Sequence, residues 1–159
     1  MKIFISISVK QTQSIAKSII KKNINKIQHI IFLLSGELGS GKTQFVKGIA
    51  SGLGIDTKKV HSPSFVFITD IVKKDVVLYH IDFYRIQQQF VHKIFYDHLE
   101  EIFCLKTKKT VTCIEWADKI SNLVIKQLSD LTKKSDINII EINFVILKNF
   151  LRKITICKF

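Results

Sequence analysis

His29-Ile30-Ile31-Phe32-Leu33-Leu34-Ser35-Gly36-Glu37-Leu38-Gly39-Ser40-Gly41-Lys42-Thr43 is the stretch that decides the fold. Its last eight residues match the phosphate-loop spacing G-x-x-x-x-G-K-[ST] at every fixed position. The apolar run His29–Leu34 reads as a buried strand, and Lys42–Leu53 reads as an amphipathic helix. Strand, glycine loop and helix is the context that this motif requires. Glycines at 36, 39 and 41 let the chain wrap tightly and turn successive backbone N–H groups inward, while the helix N-terminus adds its dipole. Lys42 then stands near the β- and γ-phosphates of a nucleoside triphosphate, and the Thr43 hydroxyl is placed to ligate magnesium. The bland alternative, a glycine-rich turn that binds nothing, is disfavoured by the strand before it and the helix after it.

A chain of 159 residues amounts to one domain with one core, so residues 1–159 are expected to form a single P-loop domain. Ile3, Ile5, Ile7 and Val9 share one face of a first strand, and Thr12–Lys22 follows in helical spacing. Beyond the P-loop helix come a Ser62–Phe65 loop, strands Phe65–Ile71 and Val76–Ile81, and a helix Phe90–Phe103. A strand Thr110–Ile114, a helix Ala117–Leu128 and a terminal hairpin of Ile137–Ile146 with Phe150–Ile156 complete the chain. Alternating strands and helices predict an α/β fold of P-loop NTPase type, a three-layer sandwich with a mostly parallel, mixed sheet and a C-terminal β-hairpin.

In open α/β sheets ligands gather beyond the carboxyl ends of the strands. The groups at those ends are the P-loop, Asp82 and Glu115. Two carboxylates converging on a phosphate loop is the layout of a magnesium nucleotide site, because a hard cation takes oxygen ligands. Each carboxylate also has a structural reading: Asp82 as a strand-end cap or partner of Arg85, Glu115 as the N-terminal carboxylate of the Ala117–Leu128 helix. No two of the five histidines show the i, i+4 spacing of a helical ligand pair, and His80, two residues before Asp82, reads as hydrogen-bonded rather than ligating.

The net charge of +12 is spread over lysine doublets at 21–22, 58–59, 73–74, 108–109 and 133–134 rather than gathered in one run, so solvated faces account for it without a polyanionic partner. Cys104, Cys113 and Cys157 lack C-x-x-C spacing and read as small buried hydrophobes. The apolar N-terminal stretch is too short to span a bilayer and no small-residue cleavage site follows it, so a cytoplasmic protein without membrane contact is expected.

With these residues in place, the chain resembles the bacterial TsaE (YjeE) family, the small P-loop ATPase of tRNA threonylcarbamoyladenosine synthesis. The resemblance is carried by Gly36–Thr43, Ser62-Pro63-Ser64-Phe65, Tyr79-His80-Ile81-Asp82-Phe83-Tyr84-Arg85 and Ile114-Glu115-Trp116-Ala117, in the family's order. It implies ATP at Gly39, Ser40, Gly41, Lys42, Thr43 and Gln44, with Thr12 near the adenine, and magnesium held by Thr43 and Glu115. It further implies Asp82 and Trp116 as residues required for activity and Ser64 in a switch-like loop, for which an ordinary Pro-containing turn is the alternative; Trp116, next to Glu115, reads either as a core residue or as one with a gating or partner-contact role. The implied partners are the TsaB–TsaD heterodimer and, through it, tRNA; hydrolysis would reset that complex between turnovers. Lys42 and Asp82 are the expected catalytic pair, with Asp82 or Glu115 orienting the water. The chain departs from the family pattern at Gln44 and Ser64, each in place of Thr, and at residues 87–93, where Gln87-Gln88-Gln89 replaces an acidic run. Two other classes compete: a small-metabolite P-loop kinase, for which no arginine-rich lid segment is visible, and a basic RNA-binding module with a vestigial P-loop.

Overall fold

The computed structural model describes residues 1–25, 28–61, 68–104, 108–120 and 137–158. Strands β1 (Lys2–Ser6), β2 (His29–Gly36), β3 (Ile68–Lys73), β4 (Val76–Asp82), β5 (Lys109–Glu115), β6 (Ile137–Ile146) and β7 (Arg152–Lys158) form one sheet in the order β1-β7-β6-β2-β5-β4-β3. The pairs β6/β2, β2/β5 and β5/β4 are parallel, whereas β1/β7, β7/β6 and β3/β4 are antiparallel. Only β3 and β7 therefore run against the other strands. The sheet is mixed, with a parallel centre.

Helices α1 (Val9–Asn23) and α2 (Lys42–Gly52) cover one face, and α3 (Gln88–Cys104) covers the other. Strand alternation sorts the side chains between these layers. Ile30, Phe32 and Leu34 of β2 join Ala16, Ile20, Phe45 and Ile49, while Ile31 and Leu33 join Val91, Phe95 and Leu99. This is the α/β three-layer sandwich expected from the sequence. Phe45 meets Phe32 and Phe144 edge-on, with ring centroids 6.3 and 5.6 Å apart, and so pins α2 to both β2 and β6 directly beneath the loop that precedes it.

Local chemistry sets the helix ends. Ser8, in extended backbone, accepts the Gln11 N–H and starts α1, and the Gln11 side chain returns to the Ile7 N–H; Lys21 and Lys22 complement the dipole in the last turn. By contrast, α2 begins at Gly41 with no side-chain cap.

Several boundaries differ from the sequence reading. β1 ends at Ser6, because Ser8 claims the next residues for α1, so Val9 is helical. Ile3, Ile5 and Ile7 are exposed, and β1 turns Phe4 and Ser6 toward the core instead. Ala117–Lys119 forms only a single 3-10 turn, and Ile120 is already extended, so no α-helix starts at Ala117; residues 121–128 lie outside the described residues. The second hairpin arm is Arg152–Lys158, because Asn149 and Phe150 both take left-handed backbone to make the turn. Residues 62–67, and with them Ser64, lie outside the described residues, so β3 is described from Ile68. Cys113 is buried as expected, but Cys157 on the outermost antiparallel pair is only half-buried, and the Cys104 side chain lies outside the described set. No helix among the described residues is long and apolar enough to cross a membrane.

Candidate nucleotide-binding site

Parallel pairing brings the carboxyl ends of β2, β4 and β5 to one edge of the sheet. Asp82 of β4 lies directly opposite Glu115 of β5, and Leu34 of β2 opposite the same Glu115. The loop after β2 then closes over both carboxylates. Its first glycine sits beside β6, where a Cβ would come within 2.4 Å of the Phe144 carbonyl oxygen, so the close approach of loop and strand depends on Gly36.

A cleft of about 320 Å³ opens at this edge. Gly39, Gly41, Lys42, Thr43 and Gln44 of the loop and α2 line it, together with Asp82, Glu115 and Trp116. Thr43, Glu115 and His80 form a hydrogen-bonded unit within it. The Thr43 hydroxyl donates to Glu115 Oε2 at 3.0 Å, and His80 Nε2 lies 2.8 Å from Glu115 Oε1. Both His80 and Glu115 are almost fully buried. The carboxylate therefore answers to a strand neighbour and to the P-loop, and not to a helix N-terminus.

Lys42 is folded back on its own loop. Its ammonium donates to the carbonyls of Gly36 at 2.7 Å and Glu37 at 2.9 Å and stands 4.1 Å from the centre of the Trp116 ring. Burial lowers its pKa from the ordinary lysine value, against the opposing pull of Glu115, Asp118 and Asp82. Trp116 adopts left-handed backbone, which places its ring over Lys42, and Tyr84 packs against that ring at 4.8 Å. Asp82 accepts the Tyr84 N–H at 2.9 Å and so fixes the turn that carries the tyrosine.

Two of the residues expected at the nucleotide lie behind the cleft rather than on its wall. Thr12 is buried, its hydroxyl shared with Ser6 Oγ at 2.8 Å and the Ser8 carbonyl, though its methyl group lies 3.9 Å from where a Gly41 Cβ would sit. Ser40 is fully buried, and its hydroxyl has no hydrogen-bond partner among the described residues. Gln44 lines the cleft with its amide oxygen accepting from Gln13 Nε2 at 2.9 Å, so the amide that stands in place of a threonine hydroxyl is held by α1.

Val9 and Arg152 also line the cleft and no motif marks them, whereas Leu38 and Tyr84 line it from within the phosphate-loop and Tyr79–Arg85 segments without an assigned role. Arg152 arrives from β7, and a Cβ on Gly41 would touch its Cδ and Nε at 3.3 Å. No spacing rule links residues so far apart in the chain. His80 had a legible signal, its position two residues before Asp82 on one strand face.

The donor set fits a hard divalent cation. Thr43 and Glu115 offer one hydroxyl and one carboxylate, both oxygen, at the mouth of an uncapped helix N-terminus that suits phosphate. Among the described residues no three His, Cys, Asp or Glu side chains gather as a metal cage. A cation here would complete its shell with water and phosphate oxygens, which is how magnesium is usually held at nucleotide sites.

Comparison with known proteins gives a family match and a likeness of fold. The family described as "Threonylcarbamoyl adenosine biosynthesis protein TsaE" matches residues 6–143. A Nostoc tRNA threonylcarbamoyladenosine biosynthesis protein TsaE is 34% identical over 94 residues, covering 57% of this chain and 54% of the relative. The Bacillus subtilis protein of the same name is 46% identical over 59 residues, 37% of each chain. The alignments thus span about half the length, or less, of these curated relatives. The crystal structure of Bacillus subtilis YdiB superposes with a TM-score of 0.65 at 24% identity, over 98% of this chain and 83% of that one, a likeness of fold.

Proposed function

The chain belongs to the TsaE family, and from that premise we propose that it binds and hydrolyses Mg-ATP as the ATPase of tRNA threonylcarbamoyladenosine biosynthesis. Its partners on this reading are the TsaB–TsaD heterodimer and, through that complex, tRNA. Residues 1–159 act as one ATPase domain. The observation that carries the reading is the 3.0 Å bond from Thr43 to Glu115, which joins the P-loop helix to the end of β5 where a phosphate-bound cation would sit.

The phosphates of ATP lie on the uncapped start of α2, with Gly39, Gly41 and Gln44 around them. Lys42 leaves the Gly36 and Glu37 carbonyls to meet the β- and γ-phosphate oxygens, exchanging two neutral acceptors for charged ones. Thr43 and Glu115 would hold magnesium, whose charge, when bound, would offset that developing on the phosphoryl oxygens. Asp82, beside Glu115 in register, orients the attacking water. Water attacks the γ-phosphorus, the bond to the bridging oxygen breaks, and ADP and inorganic phosphate leave. Trp116 stands over Lys42 and is backed by the half-exposed Tyr84, an aromatic pair that we assign to gating and to contact with the partner complex.

The test is ATP hydrolysis by the purified protein, alone and with TsaB–TsaD and tRNA, with Lys42→Ala as control. Stimulation by the complex that the variant lacks is the expected result. No stimulation, together with salt-dependent RNA binding indifferent to Lys42→Ala, would replace this reading with that of a basic RNA-binding module.

A further inference from the structure

The geometry points to His80 as a positioning residue that makes Glu115 a one-oxygen ligand and thereby biases the site toward magnesium over calcium. The inference rests on the Mg-ATP reading above and concerns only how this chain shapes its own carboxylate.

Glu115 has two oxygens, and each is already engaged. Oε2 accepts the Thr43 hydroxyl at 3.0 Å and faces the cleft, while Oε1 accepts His80 Nε2 at 2.8 Å. A carboxylate only accepts, so Nε2 carries the proton of this bond. The length is that of a charge-assisted contact. When the Thr43 hydroxyl turns a lone pair to a cation, Oε2 is released toward the cleft, and Oε1 stays with the imidazole. The carboxylate cannot then present both oxygens without losing a buried hydrogen bond.

The rest of the imidazole supports a positioning role over a purely structural one. His80 is 1% exposed, and its Nδ1 has no hydrogen-bond partner among the described residues. A buried polar ring with a single bond adds little net stability, since burying the other nitrogen offsets what the bond contributes. Among the described residues, the one hydrogen bond of the ring is to Glu115. The strand frame makes that contact rigid: β4 lies between β3 and β5, with Thr69 opposite His80 on one side and Cys113 on the other. Two residues along the same face stands Asp82.

Cation preference follows from coordination. Magnesium requires near-octahedral geometry and retains its waters, so a fixed single carboxylate oxygen suits it; calcium accepts larger, irregular shells and bidentate carboxylates. A Glu115 freed from His80 can swing or bind through both oxygens, which penalises magnesium more than calcium.

The experiment compares His80→Gln, whose amide reaches as far as Nε2, with His80→Asn, whose amide stops short of Glu115. Binding of ADP to the intact protein is measured calorimetrically while Mg²⁺ or Ca²⁺ is titrated, with thermal unfolding as the check that each variant is folded. The unaltered protein should show tighter ADP binding with Mg²⁺ than with Ca²⁺. His80→Asn should weaken the Mg²⁺ dependence roughly tenfold to a hundredfold, the usual effect of removing such a partner. It should weaken the Ca²⁺ dependence much less, whereas His80→Gln should retain most of the preference. Equal weakening for both cations in His80→Asn, or an unchanged ratio, would overturn the inference and leave the Mg-ATP reading standing. ADP binding indifferent to either cation in the unaltered protein would overturn both.

Discussion

Replacing Gly48 by Ala tests whether helix propensity or helix packing governs the P-loop layer. Gly48 lies in the middle of α2, where glycine costs about 1 kcal/mol relative to alanine, so propensity alone makes the substitution stabilising. Packing against α1 reverses the sign. A Cβ at this position would lie 2.4 Å from the Gln13 carbonyl oxygen, 2.7 Å from Gln13 Cα and 2.6 Å from Ala16 Cβ. Two of these are backbone atoms and the third is attached directly to one, so no rotamer change removes the overlap. The helices must separate by about 1 Å to restore ordinary contact, and this opens the packing of Ala16, Ile20 and Ile49, all fully buried. Overpacking of this kind costs about 1–3 kcal/mol; the backbone contacts place it at the upper end, leaving a net loss of about 2 kcal/mol after the propensity gain. For a chain of this size the thermal midpoint should fall by about 4–8 °C. Urea unfolding followed by far-ultraviolet circular dichroism should show a lower midpoint at unchanged slope. Gly52→Ala is a parallel test, because its Cβ would lie 2.3 Å from Cγ2 of Ile20, a buried β-branched side chain whose methyl is fixed by χ1, and 3.2 Å from the Lys17 carbonyl oxygen, so it too should lose stability. If Gly48→Ala proved as stable as the unaltered protein, the close contact of α1 and α2 would not be what fixes the P-loop helix.

Burial lowers the pKa of His98 to about 4, against the opposing pull of Glu101, and its ring donates or accepts at Thr112 Oγ1 and packs on Tyr79. Because the folded value lies below the unfolded one, the unfolded chain takes up the proton first. Stability is thus fully present above pH 6.5 and falls by about 3 kcal/mol as the pH drops to 4, which NMR titration of the His98 ring and acid unfolding together would check; a ring titrating near 6.5 in the folded protein would refute it. Trp116 is the single tryptophan of the chain and stands 4.1 Å from the Lys42 ammonium, so nucleotide that draws Lys42 to its phosphates should change the intrinsic emission. Lys42→Ala should begin with altered emission and respond weakly to ATP; an identical response in the variant would show that the signal does not come from this contact.

Much of the fold was legible because its signals are local. The P-loop is a continuous octapeptide, and the strand before it and helix after it follow from apolar runs and spacing within a few residues. The hairpin of β6 and β7 and the positions of Asp82 and Glu115 at strand ends were likewise readable. Where local signals compete, the stronger one sets the structure. The alternation Ile3, Ile5, Ile7, Val9 continues past Ser6, but the Ser8 cap begins a helix there, and capping geometry outweighs periodicity over two residues. The apolar spacing after Ala117 suggests a helix, yet the backbone turns extended at Ile120.

The sequence by itself determined a phosphate loop between a strand and a helix, two carboxylates at strand ends, and an α/β order of elements, since each rests on residues adjacent in the chain. Only the tertiary structure decided which groups meet. Parallel pairing in register sets Asp82 beside Glu115, strand alternation aims His80 at Glu115 from beneath, and α2 docked by Phe45 brings Thr43 to the same carboxylate. The same packing draws Trp116 over Lys42 and carries Arg152 from β7 to Gly41. These contacts join residues that lie tens of positions or more apart, and their distances follow from strand register and layer packing, which no local pattern encodes.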